Sequence, residues 1–353
     1  EVDVYEGEDV AGGVLAYGIP EYRLPMEVLQ HEINLIEQEG VIVHLNTEVG
    51  RDIAFDYLRS DSDAIFVSTG TQLPQRADIP GEDLKGVIHG VDFLKKVKLN
   101  REVEVGKNVV IIGGGNTAVD SARTALRKGA KNVTILYRRT QNMMPAYENE
   151  VHEAIEEGVK VIPLAQPVRF IGNKDGHVVE VEYKKMTLGE FDSSGRRKSV
   201  PSDKPTQFLE ADTVIPAISQ YADLPFIPVG EIGRTQWGTF TVDHDTMMTT
   251  MPGVFAGGDI VRGPDSVIQA IADGKKAAIA IDKYLGGRGV LNRGEEIKFS
   301  PFEDDDDVME LPRYPLDMLE LEKRKGSFDE VVLGYHKLTA MAEAMRCLHC
   351  ERR

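Results

Sequence analysis

An α/β fold assembled from parallel βαβ units is what the sequence predicts, and three segments carry the expectation. The apolar run Val109 to Ile112 reads as a strand that passes straight into Gly113-Gly114-Gly115-Asn116-Thr117-Ala118 and then into a helical pattern. Near the start, Val2 and Val4 alternate toward Glu6 and a glycine-rich turn. Later, "GVFAGGD" is a strand that stops at Gly257-Gly258-Asp259 before another helix. In open α/β sheets, ligands bind where strands end in such turns.

Taken in chain order, "EVDVYEGEDVAGG" has two readings. Locally it is an edge strand with a solvated Glu6; within a dinucleotide-binding unit it is the second strand, whose terminal acid hydrogen-bonds a ribose. In such a unit a glycine-rich turn stands about 20 residues before the acid, and none precedes Glu6 here. "GGVLAYGIPEYRLP" reads as an ordered loop, because Gly12, Gly13 and Gly18 permit close backbone approach and Pro20 and Pro25 forbid a continuous helix. "MEVLQHEINLIEQEG" predicts a helix with Val28, Leu29, Ile33, Leu35 and Ile36 largely on one face, ending at Gly40. "VIVHL" and "DAIFVSTG" are strands, the second closing on Thr69-Gly70.

The segment "KNVVIIGGGNTAVDSARTALRKGAKNVTILYRR" holds strand, G-x-G-x-x-A turn, helix and second strand in the order of a nucleotide-binding βαβ unit. Ala118, Val119, Ala122, Ala125 and Leu126 form the buried helix face, and Gly129 closes it. Gly113 allows the tight turn, Gly115 lets a pyrophosphate approach the backbone, and the helix start offers free N–H groups and the positive dipole end. At the end of the second strand, where an NAD enzyme carries an acid, stand Arg138-Arg139. Two guanidinium groups suit a 2′-phosphate, which points to NADP; the plainer alternative is a solvated basic strand end.

A net charge of −17 repels nucleic acid and anionic membrane surfaces. No apolar run nears the roughly 18 residues of a membrane span. Two cysteines and no signal-like start argue against a secreted disulfide framework and suggest a cytoplasmic protein. Those cysteines, Cys347 and Cys350, form a C-x-x-C pair: half of a zinc site, half of an iron–sulfur site, or a dithiol. They end a helical pattern, "HKLTAMAEAMRCLHC", that follows an acidic linker "FEDDDD" and the irregular "PRYPLD".

With these residues in view, the chain resembles the small (beta) subunit of glutamate synthase and related FAD- and NADPH-binding electron-transfer subunits. The matching stretches include "GGVLAYGIPEYRLP", "IPGEDLKGV", "VVIIGGGNTAVDSAR", "YRRTQNMMPAYENE", "MTLGEFDSSGRR", "ADTVIPAIS", "MPGVFAGGDIVRGPDSVIQAIADGKKAA" and "EAMRCLHC", in the family's order. The resemblance implies two Rossmann-like nucleotide-binding domains, the NADPH domain inserted in the FAD domain. Residues 1–88 are the first part of the FAD domain, truncated at its start, 89–222 the NADPH domain, 223–290 the FAD return segment, and 291–353 a linker with a C-terminal helix. It further implies that Glu6, Gly12, Gly13, Thr69, Gly70, Gly258, Asp259, Val267 and Ile268 border the FAD. Here Glu6 would sit on the adenosine ribose and Asp259 on the ribitol, with the following helix start facing the flavin. The NADP site would comprise Gly113, Gly115, Asn116, Thr117, Ala118, Arg138 and Arg139. Hydride transfer would rest on cofactor alignment with no acid–base residue. Cys347 and Cys350 would be ligands of an iron–sulfur cluster completed outside this chain, and the partner an electron-accepting subunit or domain with such clusters. The family's first glycine fingerprint and its amino-terminal cysteine-rich region are absent, so the chain reads as a fragment of a longer polypeptide, and Ser219 replaces a usual glycine. The alternatives are a thioredoxin-reductase-like disulfide reductase, or a scaffold that keeps the fold without FAD.

Overall fold

A computed structural model of the protein describes residues 1–191, 195–228, 230–291 and 312–345. The chain opens with β1 (Val2–Tyr5), α1 (Val14–Tyr17), α2 (Met26–Gln38) and β2 (Val41–His44), β1 and β2 pairing in parallel. Helix α2 begins after Pro25 and stops at Gly40, which takes φ +94° as a helix-ending glycine does. Its buried face is narrower than the periodicity predicts: Leu29 is buried against Ala16 and Tyr17 with Ile33 beside it, while Val28, Leu35 and Ile36 stay exposed. The small helix α1 beneath it covers only one stripe. Then follow α3 (Phe55–Asp61), β3 (Ile65–Val67) and β4 (Leu73–Pro74).

The next segment alternates helix and strand: α4 (Gly90–Lys98), β5 (Asn108–Ile112), α5 (Asn116–Arg127), β6 (Asn132–Tyr137), α6 (Glu148–Glu156) and β7 (Lys160–Pro163). An antiparallel group follows, β8 (Ala165–Gly172), β9 (Val178–Phe191), β10 (Arg197–Pro201) and β11 (Gln207–Glu210), and β12 (Thr213–Pro216) then returns beside β5. The resulting parallel sheet has the order β12-β5-β6-β7. Its apolar strands need cover on both sides, and they receive it. Val109 and Ile111 join Val119, Ala122 and Ala125 of α5 in one core, whereas Val110 and Ile112 join Phe170, Val181 and Tyr183 of the antiparallel group in another.

Pairing across the insertion shows how the first part is completed. β13 (Gln220–Tyr221) runs antiparallel to β4, and β14 (Val254–Ala256) pairs in parallel with β3, Ile65 opposite Val254 and Val67 opposite Ala256. Ile79, Leu84 and Val87 pack on the inserted domain's second core, downstream of the short β4–β13 pairing. After β14 come α7 (Asp259–Arg262) and α8 (Val267–Tyr284). Helix α8 starts at Val267, where the Ser266 hydroxyl accepts the Gln269 N–H at 3.4 Å. Its core contacts are made by Ala277 and Ile281, while Ile268 and Ile271 near its start are exposed. A terminal segment carries β15 (Asp317–Met318), α9 (Leu321–Arg324), β16 (Val332–Gly334) and α10 (Lys337–Ala344). Cys347 and Cys350 lie outside the described residues. Among the described residues no helix is long and apolar enough to cross a membrane.

A buried network of charges joins the two parts. Arg23, between α1 and α2, donates to both carboxylate oxygens of Asp120 on α5, at 2.9 and 2.7 Å, and lies 3.3 Å from Glu150 of α6. The ring of Tyr22 sits 4.0 Å from the Arg127 guanidinium and 4.9 Å from that of Arg123. Arg123 reaches Glu150, Glu153 and Glu157, and Arg127 pairs with Glu157 at 2.7 Å. Burial alone would raise the Glu157 carboxyl, but hydrogen bonds from Arg127 and Arg123 offset it and hold the group below its ordinary value of 4.5. Its contribution to stability is therefore complete above 4.5 and lost as pH falls below that value through the depressed folded one. Urea melts across that window should show Glu157→Gln with a weaker pH dependence than the parent; equal slopes would remove Glu157 from the acid response.

Candidate functional site

The β5–α5 turn places its three glycines in different surroundings. Gly113 takes φ +149°, and a Cβ there would lie 2.2 Å from the Ala217 carbonyl oxygen. A Cβ on Gly114 would lie 2.5 Å from the Tyr137 ring. Packing demands glycine at both. At Gly115 a Cβ would meet nothing within 4 Å, so the protein itself has no need of glycine there. What the bare backbone leaves is an open cradle in front of α5, whose start has no side-chain cap and so leaves first-turn N–H groups for an external acceptor. Asn116 borders the cradle, its side-chain carbonyl accepting the Tyr147 N–H at 3.1 Å, and Thr117 follows. Ala118 is fully buried in the core under the sheet, where it serves close helix–strand packing.

At the end of β6 the two arginines part. Arg138 is exposed, with its backbone carbonyl accepting the Ser199 hydroxyl at 2.6 Å. Arg139 is buried and donates from Nε to the Arg197 carbonyl at 2.8 Å. Only the first presents its guanidinium at the surface beside the cradle strand. Both residues lie in the bend just past the end of β6.

The other expected cluster converges on a side chain that sequence reading passed over. The Tyr17 hydroxyl donates to Gln72, whose amide nitrogen donates to the Thr69 carbonyl at 2.9 Å. Burial pushes the phenol up to about 12, and the carboxylates of Glu6, Glu8 and Asp259 add to the rise. Glu6, from the first segment, and Asp259, from the return segment, therefore act on one hydroxyl. Glu6 accepts the Glu8 N–H at 2.9 Å within its own turn. Gly12, Gly13, Gly70 and Gly258 all take positive φ, which non-glycine residues rarely adopt. Asp259 is half-buried and raised, chiefly by burial. Val267 and Ile268 stand exposed at the start of α8.

The turn that carries Asp259 is itself held from α8. Asp273, buried in that helix, accepts the Gly258 N–H at 3.1 Å and two bonds from Arg262 at 2.7 Å each. The Arg262 bonds keep its carboxyl below the usual carboxylate range against the effect of burial. A signal was present in the sequence: an acid on the inner face of an otherwise apolar helix asks for a buried partner. Among the described residues no group of three or more His, Cys, Asp or Glu could hold a metal ion.

Glycine turns at the ends of β5 and β14, set on two parallel-sheet units with one inserted in the other, find their counterpart in the pyridine nucleotide-disulphide oxidoreductase family model, which matches residues 19–274. The chain belongs to that family. It is 42% identical over 365 residues to the NADP(+)-dependent formate dehydrogenase subunit beta of Moorella thermoacetica, covering 100% of this chain and 51% of the relative. It is 41% identical over 298 residues to the glutamate synthase [NADPH] small chain of Azospirillum brasilense, covering 80% of this chain and 61% of the relative. The chain thus spans about half of the Moorella relative and about three-fifths of the Azospirillum one. Among solved structures, FprA from Mycobacterium tuberculosis in complex with NADPH aligns at TM-score 0.68 and 20% identity, covering 81% of this chain and 78% of that one, which supports the family's fold.

For this member of the family, the three glycines should separate by experiment. Gly113→Ala and Gly114→Ala are each expected to cost about 1–3 kcal/mol of stability by overpacking, and Gly115→Ala to stay within about 0.5 kcal/mol of the parent. Denaturant melts decide it: a Gly115→Ala loss equal to that of Gly113→Ala would mean the cradle is closed by packing.

Proposed function

We propose that this chain is the nucleotide-binding electron-transfer portion of an NADPH-dependent flavin oxidoreductase, one that takes hydride from NADPH onto FAD and passes electrons to an iron–sulfur partner subunit or domain. The observation that carries the reading is the open backbone cradle at Gly115, on a domain inserted between the paired strands β3 and β14, beside which Glu6 after β1 and Asp259 after β14 both raise the Tyr17 phenol. The Moorella and Azospirillum relatives are named as subunits of NADP-linked enzymes, which supports the same class.

In this reading the Gly115 backbone and the first N–H groups of α5 hold the NADP pyrophosphate, with Asn116 and Thr117 at its edge. Arg138 pairs with the 2′-phosphate, and Arg139 supports the strand end through the Arg197 carbonyl. Glu6 accepts from the adenosine ribose of FAD. Asp259, its turn fixed by Asp273 through Gly258, accepts from the ribitol. Tyr17 remains a neutral donor throughout the ordinary pH range. When bound, the flavin receives a hydride's two electrons from the reduced nicotinamide and gives them up singly to one-electron acceptors. The protein's share is to orient both nucleotides and keep water out, with no side chain required to move a proton during the hydride step. Cys347 and Cys350 contribute two thiolates to a cluster completed by another segment or chain. A disulfide reductase is the weaker reading, since both cysteines follow the acidic linker and neither nucleotide domain contains one.

Anaerobic titration of the full-length protein tests this. NADPH should bleach a flavin absorbance band stoichiometrically, and Arg138→Leu should raise the NADPH concentration needed by about tenfold or more with little change for NADH. Iron and acid-labile sulfide should fall in a Cys347→Ser, Cys350→Ser variant. A protein without flavin would favour the scaffold alternative, and unchanged iron would detach the cysteine pair from any cluster.

A further inference from the structure

Two features of the domain junction are unusual for a contact whose task is adhesion. The first is its chemistry. Arg123, Arg127, Asp120 and Glu157 are all buried, and taking charges out of water offers little net stability over well-packed apolar groups. For Asp120 the balance is adverse: burial outweighs the neighbouring Arg23 and pushes its carboxyl up to about 6. A raised folded value means that the ionised form costs stability at neutral pH, so the charge is retained against its own stability term. What such a contact does supply is direction: Arg23 sets one nitrogen, Nη1, on Asp120 while its Nε lies 3.3 Å from Glu150, so two carboxylates on α5 and α6 fix the plane of one guanidinium.

The second feature is location. Asp120, Arg123 and Arg127 lie on α5, the helix whose start is the Gly115 cradle. A helix is stiff, and Asp120 lies about 1.5 Å per residue along the axis from that start, so gripping its buried flank fixes its tip. The grip comes from the loop between α1 and α2. Tyr22 enters between the two arginines, its hydroxyl 3.5 Å from Asp120, and Arg23 closes on Asp120 from outside. On the adjoining side Lys98 of α4 pairs with Glu21 and donates to the Leu24 carbonyl at 2.6 Å, while Lys95 pairs with Glu8 and lies 5.0 Å from the Tyr17 ring. The terminal segment adds a third hold, the Val331 N–H donating to the Tyr22 carbonyl at 3.0 Å. The same short stretch of chain thus touches the α5 helix through Tyr22 and Arg23 and the Glu6–Asp259 cluster through Tyr17.

We propose that Tyr22 and Arg23 are positioning residues for nucleotide-to-nucleotide electron transfer: they fix α5, and with it the dinucleotide cradle, relative to the Tyr17–Asp259 cluster, so the two cofactor sites face each other without a domain swing. The proposal rests on the NADPH–FAD reading above. No atom of either residue enters the redox step; the hydride moves from nicotinamide to flavin with its electron pair.

Stopped-flow reduction of the full-length flavin-loaded protein by NADPH separates positioning from binding. Arg23→Gln should lower the reduction rate at saturating NADPH at least tenfold while the NADPH dissociation constant and flavin content stay within threefold. Arg23→Lys, which keeps the charge but has no second nitrogen to reach Glu150, should recover part of the rate. A readout independent of turnover is the long-wavelength charge-transfer absorbance on adding NADP+ to the dithionite-reduced protein, expected to weaken in Arg23→Gln and return in Arg23→Lys. If Arg23→Gln does not fold, the isosteric Asp120→Asn is read by the same criteria. A folded variant with parental rate and parental charge-transfer band overturns the proposal, as does a loss confined to affinity. Failure of NADPH to reduce the unaltered protein would count against the functional reading instead.

Discussion

The pairing of Arg23 with Asp120, with Tyr22 inserted between Arg123 and Arg127, is the constraint on which the arrangement of this molecule depends. The inserted domain joins the rest of the chain through β4 and β13, strands of two residues each. So short a ribbon is a hinge, not a brace. Orientation must be set elsewhere, and the buried ions at α5 and α6 are where directional contacts between the parts concentrate. Each helix of that pair also packs on the parallel sheet, so the grip extends through the inserted core to β5.

The same logic recurs on a smaller scale at Asp273. There a buried carboxylate in α8 fixes the Gly258–Asp259 turn through one backbone N–H and a forked arginine, and unlike Asp120 it gains stability from its partners, as its lowered carboxyl shows. The contrast is physical. Arg262 donates to Asp273 from two nitrogens and the Gly258 N–H adds a third bond, whereas Arg23 meets Asp120 through a single nitrogen and Glu150 nearby adds an opposing charge. An acidic chain thus places its arginines where carboxylates are buried, while α4 offers Lys95 and the buried side chain of Lys98 to the partly exposed Glu8 and Glu21.

Local patterns were legible in the sequence and long-range ones were not. The strand–turn–helix at Val109 to Ala118 is written within ten consecutive residues, so its fold follows from periodicity and glycine placement alone. The distinction among its glycines is not: Gly113 is forced by Ala217, a residue far along the chain, and Gly115 is revealed only by the absence of neighbours. The arginine pair reads alike in sequence, and the bend after β6 separates exposed Arg138 from buried Arg139. The chain forms the short α7 after Asp259 before it caps α8 with Ser266, a break the sequence pattern does not show. Tyr22 and Arg23 sat inside "GIPEYRLP" as unremarked loop residues, since nothing local reveals that their partners are on α5.

The central claim is that the two nucleotide-binding domains hold one relative orientation. Pulsed electron-spin distance measurement between nitroxide labels at the exposed positions Glu32 and Lys131, with both native cysteines changed to serine, addresses it directly. The account predicts a single narrow distance distribution that NADP+ and NADPH leave unchanged, and that broadens in Arg23→Gln. Two populations in the unaltered interface, or a nucleotide-driven shift between them, would contradict it.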